Sequence, residues 1–198
     1  MIYRDDQGFS LLEMMMVVAL LGVLTVIAVP MSGNTIKYLK LSGDARELAN
    51  ITAVAKMRAA AKFTQSRVYI DRAGRSFYVQ TYDKTTAAWV TEGGATSLSS
   101  TVVFGYGPVT DPPADTQTTI DQSPECPDTG SPPAPIANTS CIVFNSRGIP
   151  IDSTGSPLGT NAIYVNDGIA VYGITIAATG FIRTWQTNYQ ATPSWTLQ

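Results

Sequence analysis

The 198-residue chain contains no histidine and only two cysteines, and charged side chains occupy just 14% of its positions. Without histidine, neither a Ser-His-Asp triad nor a Cys-His pair can form, and the imidazole ligands of common zinc sites are missing. Carboxylate pairs could still act as acid and base, but none falls on a rigid predicted element. We therefore expect no enzymatic activity, no cofactor and no metal site that requires histidine.

Charge is scarcest near the N terminus, where residues 9–36 carry a single charged side chain, that of Glu13. About 20 apolar residues in a helix cross the hydrocarbon core of a bilayer, so residues 9–30 are predicted to form a transmembrane helix. A carboxylate inside such a segment costs about 2.5–3.5 kcal/mol. A cut after Gly8 would place an ammonium group on Phe9, one helical turn before Glu13, where it could pair with Glu13 of another subunit.

Gly8, Phe9 and Glu13 resemble the N-terminal signal of type IV pilins and type II secretion pseudopilins. That signal is a short polar leader ending in Gly, followed by Phe, a Glu five residues past the cut and an apolar helix. Gly22 and Pro30 match a glycine and a proline common in such helices, and we expect a kink there because proline removes a backbone donor. The resemblance implies a leader over residues 1–8, removed after Gly8 by prepilin peptidase, which also N-methylates Phe9.

The resemblance also implies a location and a set of partners. The chain is expected to be a single-pass inner-membrane protein with a periplasmic C-terminal domain, and to enter an envelope filament after assembly. Its expected partners are other pilin or pseudopilin subunits, prepilin peptidase, the inner-membrane assembly platform and the lipid bilayer.

Two alternatives remain for the N-terminal segment. One is an ordinary secretory signal peptide cut near Ala28, and the other is a span that is never cut.

The positive-inside rule favours the opposite orientation, because Arg4 is offset by two aspartates while three basic residues follow the span: Lys37, Lys40 and Arg46. We give the Gly-Phe-Glu signature precedence over that rule.

Beyond Pro30, one helical face is marked by apolar and small residues spaced three and four apart: Leu41, Ala45, Leu48, Thr52, Ala55 and Ala59. We predict one helix over residues 9–63, whose soluble half, within residues 31–66, packs under a sheet.

Residues 67–187 are predicted to be a periplasmic β-domain with strands at 67–71, 75–82, 87–90, 101–104, 142–144, 162–165, 169–176 and 180–185. Residues 188–198 are predicted to be a polar tail. The fold class is α+β, a pilin-type helix packed on an antiparallel sheet.

Residues 107–140 hold eight of the chain's twelve prolines. This composition predicts a long surface excursion that contributes no core. Cys126 and Cys141 are expected to form a disulfide in an exported domain, with two free thiols as the alternative. Aspartate-containing turns at Asp152 and at residues 166–168 are candidate calcium loops, with a solvated turn as the simpler interpretation.

Three later segments, residues 59–68, 143–148 and 180–183, resemble the minor pseudopilin H family (GspH/FimT type). That resemblance implies a minor pilin or pseudopilin, a non-enzymatic structural subunit of a type IV pilus or a type II secretion pseudopilus. FimT-type minor pilins bind DNA through basic residues near the C terminus, and Arg183 is the matching residue here. DNA uptake is therefore the alternative function, although residues 85–198 carry two basic side chains against eight acidic ones, which argues against nucleic acid as a partner.

Overall fold

The N-terminal element is a single long helix. In the computed structural model, which describes residues 10–130 and 132–198, helix α1 (Leu11–Ala61) runs for 51 residues. The prediction of one helix over residues 9–63 is confirmed within two residues at each end, and the helix is continuous through Pro30. The chain divides into two compact units, residues 1–37 and 38–198.

Within the described residues, the strands form two five-stranded sheets and a small hairpin. In the described part of the chain these strands are β1 (Ser66–Asp71), β2 (Ser76–Asp83), β3 (Ala88–Ser97), β4 (Val103–Phe104), β5 (Cys126–Pro127), β6 (Pro135–Ile136), β7 (Thr139–Phe144), β8 (Pro150–Ile151), β9 (Asn161–Asn166), β10 (Ala170–Ile176), β11 (Ile182–Asn188) and β12 (Thr196–Leu197). The first sheet has the order β3-β2-β1-β7-β8, the second β12-β11-β10-β9-β4, and β5 pairs with β6. Every strand pair is antiparallel.

The main core lies between the second half of α1 and both large sheets. All six residues of the predicted helical face are fully buried: Leu41, Ala45, Leu48, Thr52, Ala55 and Ala59. They meet alternating side chains, such as Val68 and Ile70 of the first sheet and Ile163 and Ile174 of the second. The small side chains of Ala45, Ala55 and Ala59 allow the helix to approach the strands closely. The predicted α+β class, a helix packed on antiparallel strands, is confirmed.

A second, smaller core covers the opposite face of the second sheet. Tyr164 of β9 and Val171 of β10 pack there against Val109 and Ile120, with Trp195 partly buried beside them. The expectation that residues 107–140 contribute no core is therefore wrong, because two apolar side chains between the prolines are buried on the sheet. The C-terminal segment is also not a free tail, since Trp185 and Gln186 of β11 pair with β12.

Strand β3 extends beyond its predicted range, and a bulge interrupts its pairing with β2. The register passes from Phe77↔Thr96 to Val79↔Glu92, and Gly93 in the intervening stretch has a φ of 76°. A positive φ is readily adopted by glycine. Residues 91–97, which lie outside the predicted strands at 87–90 and 101–104, therefore continue the strand, because the bulge accommodates the extra residues.

Glu92 joins the end of α1 to the bulged strand. One carboxylate oxygen accepts hydrogen bonds from Lys62 Nζ and from Thr81 Oγ1, the latter at 2.6 Å, and the other lies 3.2 Å from Arg58 Nε. Burial raises the pKa of this carboxyl, but the hydrogen bonds from Lys62 and Thr81 and the two nearby cations outweigh that effect and leave the pKa below its usual value.

Glu92→Gln is expected to lower the free energy of unfolding by about 1 kcal/mol at pH 7. Because the folded-state pKa is depressed, this stabilisation is present above the unfolded pKa, about 4.3, and is lost as pH falls through the folded value. Urea unfolding from pH 7 down to pH 3 should show the two proteins converging at the acid end. Glu47→Gln is the control, because Glu47 is exposed on the same helix and makes no ion pair with described residues. A pH-independent difference would contradict the assignment.

Candidate assembly site

The first turn of α1 is capped by Ser10, the residue that precedes the helix. Ser10 Oγ accepts a hydrogen bond from the Glu13 backbone N–H at 3.2 Å, and the Ser10 carbonyl accepts from the N–H groups of Glu13 and Met14 at 3.1 and 3.2 Å. Ser10 is therefore the N-cap residue and Glu13 the third residue of the helix, the Ser-x-x-Glu spacing of a capping box. A carboxylate in this turn is also favoured by the helix dipole.

The segment that follows exposes apolar side chains on every side. Between Leu11 and Val26, each large apolar side chain is at least 47% exposed: Leu11, Leu12, Met14, Met15, Met16, Val17, Val18, Leu20, Leu21, Val23, Leu24 and Val26. A helix that is apolar all round requires an apolar environment, either lipid or other helices. Glu13 is exposed among these side chains.

Among the residues that the structure describes, no helical stretch is both long enough and apolar enough to cross a membrane. The predicted span, residues 9–30, lies only partly within that description, because residue 9 and the side chains of residues 27–30 fall outside it.

Of the other residues with a predicted role in this segment, the structure describes only some. Gly8 and Phe9 lie outside the described residues. Gly22 lies within α1, its carbonyl accepts a hydrogen bond from Thr25 Oγ1 at 2.8 Å, and a Cβ added there would meet no atom within 4 Å. The kink predicted at Gly22 and Pro30 stays a prediction.

The two cysteines are bonded to each other. Cys126 and Cys141 form a disulfide across 15 residues, and both are buried. The bridge fastens the proline-rich excursion to β7. A hydrogen bond from the Cys141 N–H to the Pro124 carbonyl, at 2.8 Å, and one from the Cys126 N–H to Thr139 Oγ1, at 2.9 Å, strengthen the same attachment.

Sequence reasoning did not single out Arg67, a buried cation beneath the excursion. Its side chain is 3% exposed, Nε donates to Gln80 Oε1 at 2.8 Å, and Nη1 donates to the Pro127 carbonyl at 2.6 Å. The guanidinium lies 4.1 Å from the centroid of the Trp89 ring. Burial lowers the pKa of Arg67 to about 10, so the side chain stays charged at neutral pH. No local motif marks this residue, because its partners come from β2, β3 and β5.

Arg183, the predicted DNA contact, is an exposed residue of β11 whose guanidinium lies 5.4 Å from the centroid of the Phe181 ring. Lys56 lies close to the adjoining turn, where its Nζ donates to the Gly180 carbonyl at 2.8 Å. The structure thus places Arg183 next to the turn that Lys56 contacts, while a role for it in binding DNA stays a prediction.

The candidate calcium loops use their carboxylates to hold turns. Asp152 Oδ1 accepts hydrogen bonds from the N–H groups of Thr154 and Ser156, and Asp167 Oδ1 accepts from those of Ile169 and Ala170. Within the described residues, no group of three or more acidic or cysteine side chains is arranged to hold a metal ion. The solvated-turn interpretation accounts for the geometry of both loops.

The N-terminal segment matches a known sequence motif. Residues 3–29 match the model described as the prokaryotic N-terminal methylation motif. This match confirms the predicted resemblance of the N terminus to the pilin and pseudopilin signal. No curated protein sequence matches the chain with significance.

Among solved structures, the chain is similar to the minor pseudopilin EpsH from the type II secretion system of Vibrio cholerae. One EpsH crystal structure has 14% sequence identity and a TM-score of 0.44, covering 78% of this chain and 95% of that one. A second EpsH structure has 10% identity and a TM-score of 0.39, covering 80% and 96%.

Proposed function

We propose that this protein is a minor pilin or pseudopilin, a non-enzymatic subunit of a type IV pilus or a type II secretion pseudopilus. The observation that carries the proposal is the N-terminal methylation motif over residues 3–29, together with the capped start of α1 inside it, whose large side chains between Leu11 and Val26 are apolar and exposed. In this proposal residues 1–8 are removed by prepilin peptidase. The remaining helix holds the subunit in the inner membrane, with the β-domain in the periplasm, until the assembly platform delivers it to the filament.

In the assembled filament, the exposed apolar side chains between Leu11 and Val26 pack against equivalent helices of other subunits. Association of helices in lipid gains little from the hydrophobic effect, because lipid tails are as apolar as leucine. A charge pair is therefore an effective means of fixing register. We infer that the Glu13 carboxylate pairs with the Phe9 ammonium group of a neighbouring subunit, which neutralises both charges.

Gly8→Val is expected to leave the protein as an uncut precursor, because a branched side chain is introduced at the proposed scissile bond. Intact-mass analysis of the membrane-extracted wild-type protein should show a chain beginning at Phe9 and carrying one added methyl group. Gln7→Val introduces the same side chain one residue earlier and should be trimmed normally. Trimming of Gly8→Val to the wild-type mass would contradict the proposed cut, and a mature chain beginning near Val29 would indicate a secretory signal peptide instead.

The alternative, a DNA-binding minor pilin, depends on Arg183. The proximity of Lys56 to the Gly180 turn supports a small basic site there. The acidic balance of residues 85–198 opposes it, because few phosphates could be neutralised. Binding of duplex DNA by the full chain that weakens steeply with salt and requires Arg183 would favour this alternative.

A further inference from the structure

A groove of about 900 Å³ lies between the first sheet and the proline-rich excursion. Tyr82 of β2 and Trp89 of β3 line one side, with their ring centroids 5.3 Å apart in an edge-to-face arrangement. Val143 of β7 also lines the groove, and Pro127 and Pro135 line it from the excursion. Its volume and its mixed apolar and polar lining are those of a ligand site.

The walls of this groove are held in place before any ligand arrives. The Cys126–Cys141 disulfide fixes the excursion to the sheet, and the Arg67 guanidinium joins the Trp89 ring to the Pro127 carbonyl from below. Both walls are thus attached to the first sheet. A preformed groove costs a ligand little reorganisation energy, which favours binding.

The charged side chains that line the groove are mostly acidic: Glu125, Asp128 and Asp152 against Lys84. Glu125 faces Arg72 at 3.7 Å, and Lys84 donates to the Phe63 carbonyl at 2.8 Å.

Asp128 and Asp152 have no basic partner within 4 Å among the described residues. In each residue Oδ1 accepts hydrogen bonds from its own loop. The donors include the N–H groups of Gly130 and Ala134 for Asp128, and those of Thr154 and Ser156 for Asp152. The pKa of both carboxyls is lowered, chiefly by the hydrogen bond from the Ala134 N–H for Asp128 and by that from the Thr154 hydroxyl for Asp152, so both are ionised at neutral pH.

The groove also offers hydrogen-bonding groups that the described residues do not use. The indole N–H of Trp89 and the hydroxyl of Tyr82 make no hydrogen bond with them, and neither does the side-chain amide of Gln65. A carbonyl of an extended backbone would match the indole donor, while proline and aliphatic side chains would pack on the rings, as in aromatic grooves that bind proline-rich segments.

We propose that this groove binds an extended, proline-containing peptide segment of a partner protein that carries arginine or lysine side chains. Its basic side chains meet Asp128 and Asp152, and its apolar positions lie against Tyr82 and Trp89. An acidic segment or a nucleic acid would be repelled by the same carboxylates. A neutral oligosaccharide could stack on the rings but would leave both carboxylates without a counter-charge. This binding role goes beyond filament assembly and does not depend on it.

The test uses the full chain in detergent and a fluorescein-labelled, capped peptide in which arginine and proline alternate. Fluorescence anisotropy should show saturable binding that weakens about tenfold in Asp128→Asn/Asp152→Asn, because two ionic contacts are lost. Asparagine retains Oδ1 as an acceptor, so both turns are preserved. Asp115→Asn/Asp167→Asn is the matched control, since it removes two charges and one turn-holding carboxylate outside the groove, and it should bind like wild type.

Three results would overturn the proposal. The first is equal binding of a peptide with glutamate in place of arginine, and the second is an equal loss of affinity in the two double variants. The third is that the protein binds a neutral probe, such as maltohexaose, but does not bind the arginine peptide. That result would identify the groove as a sugar site.

Discussion

Glu13→Gln is expected to leave the protein in the membrane fraction while lowering its recovery in sheared filaments by about tenfold or more, which corresponds to at least ~1.4 kcal/mol of lost association. The physical reason is the loss of charge alone. Glutamine matches glutamate in size and serves equally well as the third residue of a capping box, so the first turn of α1 stays intact. Without the carboxylate, the ammonium group on a neighbouring Phe9 would be left unpaired in an apolar environment.

Ser10→Ala is the control that separates assembly from capping. Ser10 Oγ accepts the Glu13 N–H at 3.2 Å, so this substitution removes the cap but retains the carboxylate. It should cost about 1 kcal/mol of helix stability and leave incorporation near the wild-type level. If Ser10→Ala reduced filament recovery as strongly as Glu13→Gln, the role of Glu13 would be local capping rather than recruitment of a second subunit.

The Ser10 cap also shows where the sequence interpretation stopped short. The Ser-x-x-Glu spacing before an apolar run is a visible signature of a helix start. From the sequence alone, Glu13 is assigned only a pairing role with another subunit, because a carboxylate in an apolar segment is unusual enough to suggest a function. The structure adds a local reason for an acid at this position, and the two roles are compatible.

Periodicity predicted the helix and most strands because those signals are local. The buried face through Leu41, Leu48 and Ala55 followed from spacings of three and four, and alternation located β9 and β10 within one residue at each end. Tertiary contacts decided the rest. Val109 and Ile120 are isolated apolar residues in a polar, proline-rich stretch. They pack against the face of the second sheet opposite the main core, and no local pattern marks that contact.

The groove depends wholly on such long-range contacts. Its aromatic lining comes from residues 82 and 89, its acidic lining from residues 128 and 152, and residue 143 of a third strand also lines it. Arg67 appeared in the sequence as one more polar residue of an alternating strand, although its guanidinium supports both walls. Sequence alone could locate the disulfide that closes the excursion but could not show that the closed excursion covers the outer face of the first sheet.

Replacing both cysteines, as Cys126→Ser/Cys141→Ser, is expected to lower the free energy of unfolding by about 3 kcal/mol, because the bridge closes a loop of 15 residues. For a domain of this size, the melting temperature should fall by about 9 °C. The Arg67 contact with the Pro127 carbonyl and the backbone hydrogen bonds made by residues 126 and 141 would then hold the excursion without covalent help. We therefore expect the arginine peptide to bind the variant more weakly, because an opened groove must be ordered again on binding.

Thermal unfolding of the full chain in detergent, with and without reductant, measures this effect. Wild-type protein treated with dithiothreitol should unfold like the double variant, and reductant should leave the variant unchanged. Thiol titration of the unreduced, unfolded wild-type protein should find no free thiol. Two reactive thiols, together with a melting temperature insensitive to dithiothreitol, would mean that the excursion is held by noncovalent contacts alone. Arg67 would then be the principal tie between Pro127 and the sheet, and its replacement by methionine should open the groove.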